Sequence, residues 1–287
     1  MKRLKQIVNE LKLTQAGPDA ALMREFIFYS PKMPLRLHQE QLIAESKQFS
    51  LQVFDTYFTK ANLIIKCFSW GNGKRKVLLT HGWASKALDF YELIIELRKI
   101  EDLEIIAFDA PGNGSSISEF SNLMLYADSV KAISLNYAKP DVLIGHSLGG
   151  MANVIALQEL EITPELLVSI APLIRLKENF EQSLHSVNVV AKDQEIFFSN
   201  FAKEFPVPAE HFNLTELYQP GAYLTHLLAY DPADHISTHQ FLKEFLDKNP
   251  AINAKSFEEI GHYKILRSVD VIEAIVERIK NESHFEA

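Results

Sequence analysis

The segment 145–149, Gly-His-Ser-Leu-Gly, constrains this chain more than any other feature because of what flanks it. It follows a short apolar run at 142–144, which is typical of a buried strand, and it precedes a segment at 150–157 that is expected to form a helix. A strand that turns into a helix through a serine between glycines holds that serine on a sharp, strained corner with its hydroxyl exposed. The glycines are needed because strand and helix backbones approach closely there, leaving no room for Cβ atoms.

Short apolar segments alternate with helical patterns along most of the chain. This alternation predicts a parallel sheet with helices on both faces. A Gly-Asn-Gly turn at 71–73 predicts a hairpin between the second and third strands. The predicted strands are 50–59, 63–70, 77–80, 104–108, 142–144, 166–171, 224–230 and 254–260.

Acidic residues and a histidine follow the last two predicted strands. A serine is a poor nucleophile at neutral pH and needs a base to take its proton and an acid to orient that base. Asp231 and Asp234 follow the strand at 224–230, and His262 follows the final strand. His146 adjoins the serine, but we expect its side chain to point away into packing.

These motifs, in this order, resemble the α/β-hydrolase superfamily over roughly residues 49–279. The resemblance implies Ser147 as nucleophile and His262, in a Gly-His pair, as base. It implies Asp234 as the acid on motif spacing, with Asp231 left as the alternative. The loop His-Gly-Trp at 81–83 resembles the family's His-Gly-X loop, so the backbone N–H groups of Trp83 and Leu148 are the expected oxyanion donors.

The resemblance also implies a domain organisation. We expect an α/β-hydrolase fold with a mostly parallel sheet of the eight-stranded type. Its core comprises residues 49–172 and 224–287. The aromatic-rich helical segment 173–223 interrupts the alternation where this superfamily commonly inserts a cap, and residues 1–48 form an N-terminal helical segment packed on the core.

The expected function is that of a serine hydrolase acting on a carboxylic ester or thioester through an acyl-enzyme. No cofactor or metal is implied. Two alternatives use the same three residues, namely acyl transfer to an alcohol and hydrolysis of a carbon–carbon bond. A third is a non-catalytic small-molecule receptor on the same fold. The aromatic cap favours a small-molecule substrate with an apolar acyl or alcohol group.

The composition of the chain argues against several other classes of protein. The formal charge of the 287 residues is −8, and no basic cluster is denser than the three residues at 74–76, which argues against nucleic acid as a partner. The single cysteine, Cys67, excludes an internal disulfide and a cysteine-cluster metal site. Its position in a predicted strand indicates that it packs as a small buried apolar side chain.

No apolar run reaches the roughly 18 residues of a membrane span. The first residues predict an amphipathic helix and not a signal peptide, so we expect a cytoplasmic protein.

Overall fold

The computed structural model describes residues 2–13, 17, 19–221 and 224–282, and its centre is a sheet of eight strands. The strands in chain order are β1 (Lys47–Phe54), β2 (Asn62–Gly71), β3 (Arg75–Thr80), β4 (Leu103–Asp109), β5 (Val142–His146), β6 (Leu166–Ile170), β7 (Thr225–Tyr230) and β8 (Asn253–Ser256). Their order across the sheet is β1-β2-β4-β3-β5-β6-β7-β8.

The sheet is parallel from β4 to β8, and β1 and β2 form an antiparallel edge. Every residue of β4, β5 and β6 is buried, because strands covered on both faces need apolar side chains on both faces. The eight-stranded, mostly parallel sheet expected from the sequence is therefore confirmed.

Eleven α-helices lie in the described part of the chain and cover both faces of the sheet. The core on one face includes buried side chains of α5 and α6, and the core on the other includes those of α4 and α11. The helices are α1 (Lys2–Leu13), α2 (Ala20–Phe28), α3 (Leu37–Ala44), α4 (Tyr91–Leu97), α5 (Leu123–Asn136), α6 (Leu148–Leu160), α7 (Leu176–Ser186), α8 (Ala191–Glu204), α9 (Leu214–Leu217), α10 (His239–Lys248) and α11 (Val269–Glu282).

Two local predictions about the first strands were wrong. β2 pairs with β1 and β4, so the turn at 71–73 leads to a strand two positions away and not to a hairpin partner. The local turn signal carries no information about which strand pairs with which. β1 begins at Lys47 and ends at Phe54, because Asp55 accepts hydrogen bonds from three successive backbone N–H groups and turns the chain.

Helices α7, α8 and α9 lie between β6 and β7, in the segment that we expected to form a cap. Phe28, at the end of α2, joins this segment to the N-terminal helices. Its ring lies 5.4–6.4 Å from five other phenylalanine rings, those of Phe58, Phe180, Phe197, Phe201 and Phe205. An ion pair between Arg24 of α2 and Glu204 of α8 adds to this contact. Helix α2 thus packs on α7 and α8.

None of the described helices is both long and apolar enough to cross a membrane.

Candidate active site

Ser147 stands at the corner between β5 and α6. Its backbone has φ +52° and ψ −120°, a conformation that a residue with a side chain adopts at a cost of about 1–3 kcal/mol. A hydrogen bond from its N–H to the carbonyl oxygen of Ile170, 3.0 Å long, helps to hold the corner. A Cβ at Gly149 would lie 2.2 Å from the backbone oxygen of Thr80, which explains the glycine two residues after the serine.

His262 and Asp234 form a buried pair near this corner. His262 Nδ1 lies 2.6 Å from Asp234 Oδ2, and the two side chains are 5% and 1% exposed. Asp234 follows β7 and His262 follows β8, so the carboxyl ends of neighbouring parallel strands bring them together. The other carboxylate oxygen of Asp234 accepts hydrogen bonds from the N–H groups of Ile236 and Ser237.

The electrostatic surroundings of Asp234 favour its ionised form. Burial acts to raise the pKa of this carboxyl group, but the hydrogen bond from His262, the charge of that ring and the two backbone N–H groups together outweigh it. The pKa of Asp234 therefore lies below its ordinary value. An ionised carboxylate is an acceptor, so the proton in this pair belongs on His262 Nδ1.

Asp231, the alternative acid, is engaged elsewhere. One of its oxygens accepts a hydrogen bond from the N–H of Ala233 at 2.8 Å. The other accepts from the N–H groups of Ile260 and Gly261 at 2.8 and 2.7 Å. Burial acts to raise the pKa of Asp231, and these backbone donors reverse that effect and lower it. The carboxylate of Asp231 thus anchors the loop that leads to His262, whereas that of Asp234 contacts the imidazole itself.

Ser147 and His262 line the same cavity, which has a volume of about 400 Å³. Within the described residues no hydrogen bond joins the Ser147 hydroxyl to the imidazole. Hydrogen bonds of this kind are often long in unliganded enzymes and tighten when substrate binds. With Nδ1 occupied by Asp234, the lone pair of His262 lies on Nε2, the nitrogen available to a hydroxyl.

The two amides expected to stabilise an oxyanion belong to residues of the same cavity wall. Trp83 and Leu148 both line the cavity, and in the described chain neither backbone N–H has an acceptor. Leu148 is the first residue of α6, where unpaired N–H groups favour negative charge. Gly82 lies against the corner, since a Cβ there would be 3.2 Å from the Cβ of Ser147.

His146, which adjoins the serine, contacts the loop that carries His262. The residue is 1% exposed and its ring is packed among protein groups, and His146 is also one of the residues that line the cavity. His146 Nε2 donates a hydrogen bond of 2.9 Å to the backbone oxygen of His262, and the two rings lie 4.9 Å apart. Burial, followed by the neighbouring His262, lowers the pKa of His146 to about 3, so the ring is neutral.

The N-terminal helices supply part of the cavity wall, which the sequence did not indicate. Leu4 of α1 and residues 26–29 line it together with residues of the sheet edge and α7. In the described part of the segment 173–223, Phe180 is the aromatic residue that lines the cavity. Several of the others pack on Phe28 and on one another, and Tyr223 lies outside the described residues.

We also considered a metal site and the single cysteine as candidate centres in the part of the chain that the structure describes. No group of three or more His, Cys, Asp or Glu side chains there could hold a metal ion. Cys67 is fully buried in β2, and burial raises the pKa of its thiol to about 12. A thiol in that state is a packing group and not a nucleophile.

Comparison with known proteins agrees with this architecture. The model of the Alpha/beta hydrolase family matches residues 77–263. Among solved structures, an esterase of Pyrococcus furiosus is 18% identical with a TM-score of 0.60, over 88% of this chain and 95% of its own. A thermophilic esterase from Thermogutta terrifontis is 18% identical with a TM-score of 0.58, over 82% and 99%. Alpha/beta hydrolase domain-containing protein 10 from mouse is 19% identical with a TM-score of 0.59, over 76% and 93%.

Among curated protein sequences, none matches this chain. The family match nevertheless covers more than half of the sequence and includes Ser147, Asp234 and His262. The sheet order and the strained serine between strand and helix agree with it. This chain belongs to the α/β-hydrolase family.

Proposed function

We propose that this protein is a serine hydrolase that cleaves a carboxylic ester or thioester through an acyl-enzyme. The observation that carries the proposal is the 2.6 Å bond between His262 and Asp234, buried beside the cavity that Ser147 lines. Membership of the family supports hydrolysis, and the arrangement of these three residues supports the reaction type.

In the first half-reaction Ser147 Oγ attacks the carbonyl carbon of the substrate while its proton passes to His262 Nε2. Asp234 holds Nδ1 and stabilises the imidazolium that forms. The negative charge on the carbonyl oxygen is stabilised by the N–H groups of Trp83 and Leu148, since backbone donors of this kind need little reorganisation during the reaction. Collapse of this intermediate breaks the bond to the leaving group, which takes the proton from Nε2.

In the second half-reaction a water molecule replaces the alcohol or thiol. His262 Nε2 takes a proton from this water, whose oxygen attacks the acyl carbon. The second tetrahedral intermediate expels Ser147 Oγ, which recovers the proton. The acid product leaves and the side chains return to their starting protonation states, so no cofactor is consumed.

The cavity supports an apolar acyl or alcohol group in the substrate. Its wall includes Leu148 and Leu173, which adjoin the serine, together with Leu176 of α7 and with Ile27 and Phe28 of α2. About 400 Å³ falls within the range of small-molecule sites. The apolar character of the site derives from these residues more than from the aromatic side chains of the inserted helices.

A fluorophosphonate probe and a panel of nitrophenyl esters graded by chain length test the proposal. The wild-type protein should be labelled at Ser147 and should hydrolyse at least one ester. Ser147→Ala should lose the label and lower turnover by roughly 10⁴ or more without unfolding. A receptor that lacks the chemistry would remain unlabelled, and ester hydrolysis that survives in Ser147→Ala would exclude this nucleophile. A competing alcohol in the assay separates hydrolysis from acyl transfer.

A further inference from the structure

The carbonyl oxygen of Gly82 accepts two side-chain hydrogen bonds that have no role in the reaction steps proposed above. His81 Nδ1 lies 2.7 Å from this oxygen. The hydroxyl of Tyr126, in the first turn of α5, donates to the same oxygen at 2.9 Å. Both side chains are fully buried. Two donors on one backbone oxygen fix its direction more firmly than the single bond that such a group usually has.

The hydrogen bonds of His81 identify its tautomer. Its Nε2 accepts a hydrogen bond from the N–H of Ala110 at 3.0 Å, so Nε2 carries no proton. Burial lowers the pKa of His81, and the neutral ring therefore carries its proton on Nδ1 and donates it to Gly82. Burial also raises the pKa of Tyr126 well above its ordinary value, so that its phenol remains a donor.

The C=O of Gly82 and the N–H of Trp83 belong to one peptide group. A trans peptide is planar, and its C=O and N–H point in opposite directions. The donors that hold the oxygen of Gly82 on the buried side therefore aim the N–H of Trp83 the other way. The α-carbon of Gly82 lies against Ser147, since a Cβ there would meet the Cβ of Ser147 at 3.2 Å. Trp83 itself lines the cavity.

We propose that Tyr126 is a positioning residue that holds the peptide between Gly82 and Trp83, so that the N–H of Trp83 faces the developing oxyanion. This inference rests on the proposed serine-hydrolase function. The hydroxyl of Tyr126 acts through the peptide and touches no reacting atom. Donation to the carbonyl oxygen also polarises the peptide, which makes the N–H on its other side a stronger donor.

Tyr126→Phe is the test, because it removes one oxygen atom and leaves the Gly82 carbonyl bonded to His81. We expect kcat to fall about fivefold, which corresponds to the loss of one hydrogen bond worth about 1 kcal/mol, while KM stays within about twofold. A trifluoromethyl ketone with the acyl chain of the best ester forms a tetrahedral adduct. Its affinity should fall by the same factor as kcat/KM, because only the tetrahedral state carries the oxyanion.

Tyr218→Phe is a matched control. Its hydroxyl is also buried and bonded, at 2.9 Å to His226 Nδ1, but it makes no contact with the Gly82 carbonyl. This variant should keep kcat and the ketone affinity of the wild type. If Tyr126→Phe does not accumulate as folded protein, Tyr126→Met provides a flexible side chain of similar length without a hydroxyl and should show the same loss.

The inference is overturned if the Tyr126 variant keeps kcat and ketone affinity within twofold of wild type. It is overturned equally if only KM changes, or if Tyr218→Phe loses as much activity. These outcomes are distinct from a failure of the proposed function, which Ser147→Ala reports separately. An inactive Ser147→Ala protein combined with a fully active Tyr126→Phe protein would remove the positioning role and leave the nucleophile in place.

Discussion

The substitution Asp234→Asn should reduce activity by about 10⁴, and the reason lies in the hydrogen bonds around this side chain. Oδ1 of Asp234 accepts from the N–H groups of Ile236 and Ser237, and Oδ2 accepts from His262. An asparagine that keeps the two backbone bonds must turn its NH₂ group towards His262 Nδ1. Because NH₂ cannot accept, the imidazole must move its proton to Nε2 and can no longer take a proton from Ser147.

The loss of activity expected for Asp234→Asn can be compared with that of Asp231→Asn, a control variant in the same loop. In serine proteases the wrong tautomer costs about 10⁴ in kcat, which corresponds to roughly 5.5 kcal/mol of barrier. Asp231→Asn should instead break one backbone hydrogen bond, because the NH₂ group must face an N–H donor in either orientation. That loss should lower the free energy of unfolding by about 1–3 kcal/mol and leave kcat/KM within about tenfold of wild type.

The assay is kcat/KM on the best nitrophenyl ester at pH 8, with thermal unfolding measured on each variant. Asp234→Asn should remain folded with its activity lost, whereas Asp231→Asn should be less stable and active below its unfolding temperature. The opposite ranking of activities would transfer the role of the acid to Asp231 and refute the tautomer argument.

Three further predictions concern the glycine-serine corner, the aromatic contact and the buried histidines. Gly149→Ala places a Cβ 2.2 Å from the carbonyl oxygen at the end of β3 and should destabilise the protein by about 3 kcal/mol or more. Gly150→Ala is the control, because its Cβ meets a proline ring at 3.2 Å and should cost about 1 kcal/mol. Equal unfolding midpoints for the two variants would contradict this prediction. Phe28→Ala should cost about 3–5 kcal/mol in chemical denaturation and shift the preferred ester towards longer chains, with Phe28→Leu intermediate. Burial lowers the pKa of both His146 and His226 from 6.5 to about 3. The unfolded chain therefore binds more protons below pH 6.5, and the free energy of unfolding should fall there by about 3 kcal/mol per pH unit for the two together. His226→Gln should remove about half of this slope, and a denaturation midpoint that is constant from pH 7.5 to pH 5 would show that the rings are not buried in the neutral form.

The sheet and the three candidate catalytic residues could be predicted because their signals are local. Ser147 lies in a turn whose glycines record a close backbone approach, and His262 and Asp234 follow strands that the apolar pattern identifies. Parallel strands then bring their carboxyl ends together without further information. Motif spacing favoured Asp234 over Asp231 but left both open, because both follow β7 in the same short loop. The structure adds the contacts of the two carboxylates: Asp234 contacts His262, and Asp231 contacts backbone N–H groups.

Contacts between distant segments could not be predicted in this way. The packing of Phe28 on α7 and α8 joins residues far apart in the chain, and no motif marks either partner. The contribution of α2 to the cavity wall follows from this packing and was missed for the same reason. The hydrogen bond from His146 to the carbonyl group of His262 could not be predicted either, because that carbonyl group approaches from another loop.

The most direct measurement of the central claim is the mass of the protein during turnover. The enzyme is mixed with a slowly hydrolysed nitrophenyl ester, quenched in acid within the first turnover and analysed whole and after digestion. We expect the protein mass to increase by that of one acyl group, carried on the peptide that contains Ser147, and we expect no increase in Ser147→Ala. An acyl group found on another residue, or full turnover with no covalent species and no burst of nitrophenol, would contradict the account.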